Sequence, residues 1–401
     1  MTSLLEILTI VPKFVREMST LQVKEIGDYL VNFRRNLHLE PELSNEEFET
    51  TRKIKEALLS QDISILNLPL KTGVVAEIKG SQPGPTIALR CDIDALPILE
   101  QSEVSFTSKR QGVMHACGHD FHTSVILGTA FLLKKEENNL AGTIRLIFQP
   151  AEETGHGARA ILDTHALDDV DVIFGLHNDP TLKIGELGTK HGALTAGVDR
   201  FEIHVTSTGA HAAKPEEGND PIIITGHIIS SLQTIISRNV PPRETAVVSI
   251  TQIHSGSTWN VIPDTAYLEG TVRTFSKTQR AFIQKRMEQI SHGIGVTFNA
   301  KVELVWHPGP PSVDNAPEWA DFALEVGAKA GYKTRVVEAS SIGEDFAFYQ
   351  EKLPGAFVMI GSGGPFDLHH PKFVVDEAAL LPASEYFQLL AVEALGKLKQ
   401  G

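Results

Sequence analysis

The chain has 401 residues, and its 36 Lys+Arg against 50 Asp+Glu leave a net charge of −14 at pH 7. That acidic balance argues against nucleic acid and anionic membrane as partners, because both call for clustered Lys and Arg. With 42% apolar and 21% charged residues it reads as a globular protein, long enough for two cores without disulfide staples. The two cysteines, Cys91 and Cys117, form no disulfide framework and fit a reducing compartment, so a cytoplasmic location is expected. Met1–Lys13 carries Glu6 and no basic start before an apolar run, which is a poor signal peptide. No run of about 18 apolar residues suggests a membrane span.

Leu21, Ile26, Leu30, Phe33 and Leu37 recur at helical spacing, and Pro41 stops the helix they predict. A second helix is predicted from about Asn45 to Leu59, then strands over 74–78 and 86–91 that run into Asp92-Ile93-Asp94. A helix over 123–134 follows, then a strand over 143–149 ending in Gln149-Pro150-Ala151-Glu152-Glu153, and a strand over 172–176 ending in His177. Alternating helices and near-continuous apolar strands predict a layered α/β core with a largely parallel sheet. Such sheets carry their functional residues at the C-terminal strand ends.

From about Gly197 the rhythm changes. Strands are predicted over 201–207, 246–254, 265–275 and 296–305, with helices over 220–237 and 277–292. The order β-α-β-β-α-β is that of a ferredoxin-like α+β unit. The stretch His307-Pro308-Gly309-Pro310-Pro311 closes it, and the α/β rhythm then returns. The domains are therefore expected at 1–196 plus 311–401, with 197–310 inserted.

Three His, one Cys and one Asp fall within eight positions of Met114 through His122, just before a predicted helix. A thiolate and an imidazole two residues apart, Cys117 and His119, suit borderline-soft divalent metals. An Asp next to a ligand histidine, here Asp120, can accept its second ring hydrogen. Glu152 and Glu153 emerge from a buried strand, so one can ligate a metal while the other stays free as a base. His177 and His369 add two further imidazoles at the ends of core elements. The sum fits a two-ion site.

His-Glu-x-x-His, Gly-x-Ser-x-Gly, a phosphate-binding loop and Cys-x-x-Cys are all absent from the sequence. Gly361-Ser362-Gly363-Gly364 has the wrong spacing for a dinucleotide loop and reads as a turn. Cys117 as a nucleophile with His119 as its base would leave Glu152, Glu153, His177 and His369 idle.

Taken in order, several stretches resemble the M20 metallopeptidase family, in the amidohydrolase branch with aminoacylases, hippurate hydrolases and plant auxin-conjugate hydrolases. They are Arg34 through His38, Pro41 through Ser44, Leu89 through Pro97, Met114 through His122, Gln149 through Glu153, Gly175-Leu176-His177, Asn260 through Pro263, Glu344-Asp345-Phe346 and Leu368 through Pro371. The resemblance implies that Cys117 bridges two divalent ions, with His119 and His177 on one and Glu153 and His369 on the other. Zinc, manganese or cobalt would suit, the thiolate leaning toward zinc. It implies that Glu152 is the general base and then the acid for the leaving amine, with Asp94 and Asp120 supporting the ligands.

The same resemblance makes the inserted domain a lid and homodimer platform. His211 would support the oxyanion across the dimer interface, and Asn260 would join it on the substrate. Arg273 is a candidate clamp for a substrate carboxylate, since guanidinium matches carboxylate geometry. The implied reaction is hydrolysis of small N-acyl, foremost N-acetyl, amino acids; a dipeptidase or carboxypeptidase would use the same residues. A binding protein on this fold would be expected to lack the base or a ligand. Lys214 stands where many relatives carry a small polar residue and suggests a taste for acidic substrates; Leu194-Thr195-Ala196-Gly197 also departs from the commoner run.

Overall fold

The computed structural model describes Thr20–Gln400, so Met1–Lys13 lies outside the described residues. The chain forms two compact units: one of residues up to Leu194 with Asp314–Glu338 and the residues from Phe348 on, the other Thr195–Val313 with Ala339–Ala347. The second unit is thus slightly wider than 197–310. It also takes in 339–347, which no local pattern separates from the returning α/β rhythm.

The first unit is built on an eight-stranded sheet. Its order is Ser64–Ile65, Val74–Lys79, Ala141–Gln149, Gln82–Asp92, Val172–Asp179, Gly355–Gly361, Glu186–Thr189 and Lys333–Val336. The central pairings are parallel. Antiparallel pairing is confined to the flanks, at 64–65 with 74–79, 74–79 with 141–149, and 186–189 with 355–361. Val172–Asp179 and Gly355–Gly361 are buried almost throughout, which is why they read as continuous apolar runs rather than alternating ones. Helices His119–Lys135 and Leu380–Gln400 pack on Gln82–Asp92, and Thr20–Leu39 packs on both helices. Val125, Leu132, Leu89, Phe174, Phe387 and Leu390 belong to the core they share.

The second unit is a four-stranded antiparallel sheet in the order Ala246–Ser255, Thr265–Thr274, Gly197–Thr206, Lys301–Pro308. Helices Pro221–Thr234 and Lys277–Thr297 pack on it. Asp220 caps the first, its side chain accepting from the amides of Ile222 and Ile223, with Pro221 at the first turn. Phe201, Ile203, Leu268, Val272, Ile228 and Met287 fill the core between. Along Gly197–Thr206 and Thr265–Thr274 buried residues alternate strictly with more exposed ones, as a sheet covered on one face requires.

Three boundaries moved. The helix predicted over 123–134 begins at His119, so His119, Asp120 and His122 lie in its first turn rather than ahead of it. The strand predicted to end before His177 runs to Asp179 and contains it. The last strand of the second unit starts at Lys301, because the preceding helix continues to Thr297.

Candidate metal centre

Parallel strands end together, and that brings the candidate residues of the first unit into one place. Asp92 is in register with Gln149, so Asp94 and the Glu152–Glu153 turn leave the sheet at one edge, beside the strand that carries His177. The loop before helix His119–Lys135 delivers Cys117. Gly118 turns that loop at φ +87°, and a side chain there would meet Asn178 Oδ1 at 2.2 Å, so only glycine fits. His369 arrives from far along the chain, its backbone at φ +63° and its amide donating to the Ala116 carbonyl at 2.8 Å.

Ligand-type atoms of Cys117, His119 and His177 lie within 4.8 Å of one another, as do those of Cys117, Glu153 and His369. Cys117 belongs to both sets. A third set joins His119 to Glu152 and Glu153. The Cys117 sulfur is 3.3 Å from His177 Nε2, and His369 Nε2 is 3.5 Å from Glu153 Oε1.

Hydrogen bonds fix which ring nitrogens face the cluster. His177 Nδ1 donates to the Asn178 carbonyl at 2.7 Å, which leaves Nε2 with the lone pair. Burial, reinforced by the neighbouring His122, pulls His177 well below the ordinary histidine range, so the ring stays neutral as a ligand must be. His119 Nδ1 lies 3.2 Å from Asp94 Oδ1, while its Nε2 is buried with no hydrogen-bond partner. Glu153 Oε1 is likewise buried without one. Burial alone would lower His119, but Asp92, Asp94 and Glu153 carry it up to about 10. Buried polar atoms are ordinarily paired. Two that are not, beside a thiol and two imidazoles in a field of carboxylates, are what a divalent cation would satisfy. The residues fit the ions.

The carboxylate that faces the His119 ring is Asp94. Besides His119 it accepts from the Ser44 hydroxyl at 2.7 Å and the Glu153 amide at 3.1 Å. Asp120 does not share that role. Its carboxylate takes Arg34 at 3.1 Å and His38 at 2.9 Å, held ionised well below the usual range by Arg34 and His38 against the cost of burial. Adjacency in sequence misleads here, since consecutive residues on a helix point about 100° apart. Sequence reasoning gave no role to Asp92 and His122. Asp92 Oδ1 lies 2.6 Å from His122 Nδ1, and His122 Nε2 accepts from the Asn178 amide at 2.9 Å. His122 sits three residues after His119 on one helical face, a signal visible once the helix starts at His119.

The second unit carries the other candidates. Val261 pairs with His211 on a short antiparallel ladder, and the Ala212 amide donates to the Asn260 carbonyl at 3.1 Å, so His211 and Asn260 are neighbours. His211 is exposed, and its Nδ1 accepts from the Ala213 amide at 3.0 Å, which puts the ring hydrogen on Nε2. Arg273 pairs across the sheet with Val198 and Val247; it is half-buried, and that burial lowers its guanidinium from the ordinary value. Lys214 faces Glu217 at 2.9 Å, so its charge is partly answered within its own turn. Gly363 and Gly364, at φ +59° and +119°, form the turn expected after Gly355–Gly361.

A profile of Peptidase family M20/M25/M40 matches residues 88–393. The chain belongs to this family. An N-acetylcysteine deacetylase of Bacillus subtilis (strain 168) is 52% identical over 371 residues, covering 92% of this chain and 98% of that protein. Thermostable carboxypeptidase 2 of Saccharolobus solfataricus is 37% identical, over 94% of this chain and 98% of its own length. Among solved structures, a Bacillus subtilis dinuclear metal binding peptidase from the M20 family has a TM-score of 0.85 at 49% identity, covering 93% of this chain and 99% of that one. Membership makes the chain a metal-dependent hydrolase of the M20 class. With the two clusters sharing Cys117, it supports two divalent ions. Among the described residues no helix is long and apolar enough to cross a membrane.

Proposed function

We propose that this chain hydrolyses the amide bond of N-acyl amino acids, N-acetyl ones foremost, releasing the carboxylic acid and the free amino acid. The observation that carries the reading is Cys117's place in both ligand sets, with Glu152 and Glu153 grouped beside them. The deacetylase relative at 52% identity supports N-acetylcysteine as the first substrate to try.

Cys117, His119 and His177 would hold one ion, and Cys117, Glu153 and His369 the other. Bound there, two divalent ions lower the pKa of water toward neutrality and polarise the amide carbonyl. Glu152 takes the proton from the attacking water and returns it to the amine nitrogen as the C–N bond breaks. His211, with its hydrogen on Nε2, would donate across the dimer interface to the carbonyl oxygen as that oxygen gains charge, with Asn260 beside it. Arg273 pairs with the substrate carboxylate through its guanidinium fork. Asp94 keeps the His119 ring oriented.

Zinc is the first choice of ion because a thiolate stands in both sets, with manganese and cobalt next. The second unit would serve as lid and homodimer platform. Its exposed Ile223, Ile253 and Trp259, the last 91% exposed, support a partner surface there. Cys91 and Cys117 are both unbridged, which supports a cytoplasmic location.

The test is amine release from N-acetyl, N-benzoyl and dipeptide substrates, using chelated protein and protein restored with each metal. Metal-dependent release from acyl amino acids is expected. Release from dipeptides alone would move the reading to a dipeptidase or carboxypeptidase. No release from folded, metal-loaded protein would sink it.

A further inference from the structure

Ala151, the residue before Glu152, has φ +54°, a left-handed backbone that a residue with a Cβ seldom adopts. Something must hold it there. Its carbonyl accepts from the Gly157 amide at 3.1 Å, and its amide donates to Glu47 Oε1 at 2.8 Å. Gly157 can come that close only because it has no side chain, since a Cβ would lie 1.7 Å from the Pro150 carbonyl oxygen. Glu47 is fully buried, and the same Oε1 accepts from the Asn45 amide at 2.9 Å. It lies more than a hundred residues before the turn it holds. A buried carboxylate that receives two backbone amides is costly to keep unless those bonds are made. The Glu152–Glu153 pair therefore leaves the sheet through a turn fixed at both ends, with Glu153's own amide tied to Asp94.

We propose that Glu47 is a positioning residue for the reaction: by accepting the Ala151 amide it keeps Ala151 left-handed and so aims Glu152 and Glu153. This rests on the reading of Glu152 as the proton carrier. Glu47 stands in none of the ligand-type groups that meet at the clusters. It acts through the turn, and a displacement of about 1 Å in such a turn is enough to cost on the order of 100-fold in rate.

The test compares Glu47→Gln, Glu47→Leu and Glu47→Asp in the metal-loaded enzyme. Steady-state kinetics is read beside hydrogen exchange of peptides spanning 148–158. Gln keeps an acceptor at the same reach, so Glu47→Gln is expected to stay within a few-fold of the wild type. Leu has no acceptor and Asp is one methylene short, so both should lose about 10- to 100-fold in kcat with KM nearly unchanged. Both should also speed exchange at the Ala151 amide. Adding Ala151→Gly, which accepts positive φ freely, should recover part of the lost kcat in either background.

If Glu47→Leu does not fold, Glu47→Asp carries the comparison. Wild-type kcat with unchanged exchange in Glu47→Asp would overturn the proposal. So would a Glu47→Gln as damaged as Glu47→Asp, or no recovery on adding Ala151→Gly. If Glu152→Gln itself stayed active, the reading of Glu152 would fall, while exchange at Ala151 would still report whether Glu47 holds the turn.

Discussion

The two units present their chemistry in opposite ways. In the first, Cys117, His119 and His177 are buried at strand and helix ends, and the Asp94 carboxylate and the Asn178 carbonyl orient the two rings. In the second, His211 lies exposed on a two-residue strand that pairs with Val261, its ring Nδ1 accepting from the Ala213 amide. Burial makes each polar group in the first unit depend on its partners, so geometry there is held tightly and mutation should be expensive. Exposure leaves His211 solvated, its ring held by a single backbone amide, so little else in the unit depends on it.

The sharpest way to break that contrast is Glu152→Gln. It is expected to keep both ions yet lose about 10²–10⁴-fold in kcat, the scale of general-base loss; a near-normal rate with full metal content would remove Glu152 from the mechanism. Cys117→Ser comes next. Because Cys117 stands in both ligand sets, metal analysis after dialysis should show at least one ion lost per chain and activity falling with it. Retention of both ions would mean the sets do not share it.

His211→Ala should cost less, on the order of 10- to 100-fold in kcat. Metal content and thermal unfolding should be unchanged, because an exposed ring supports neither. Loss of metal or of folding in that variant would erase the distinction between the units.

The smallest effect concerns burial alone, away from the proposed chemistry. Glu385 in helix Leu380–Gln400 has a buried Oε1 without a hydrogen-bond partner, and burial pushes its carboxyl up from 4.5 to about 7. Folding therefore favours its protonated form. That contribution to stability is full below the unfolded value of 4.5 and is lost as pH rises through 7. Glu385→Gln, which cannot ionise, should raise unfolding stability at pH 8 by about 3 kcal/mol and change little at pH 4. Denaturant titration at the two pH values checks it. An equal gain at both would point to packing instead of charge.

Much of this protein is written locally. The apolar rhythm of Val172–Leu176, the alternation in Phe201–Ser207 and the caps at Asp220-Pro221 are each settled by neighbours a few residues away, so fold class and the order of the second unit could be read directly. So could the identity of Cys117, His119, Glu153, His177 and His369 as metal-suited groups, because ligand chemistry belongs to the side chain itself. Packing decided the rest. That no side chain fits at Gly118, just before the helix that starts at His119, follows from the close approach of Asn178 some sixty residues later. Asp94 rather than Asp120 supports His119 because sheet register, not sequence adjacency, sets which carboxylate faces the ring. Glu47 reads as an ordinary acid at a helix start until the fold lays it under Ala151. Short-range periodicity specifies elements, while pairings between distant segments exist only once those elements are packed. Composition therefore named the chemistry, and tertiary structure alone aimed it.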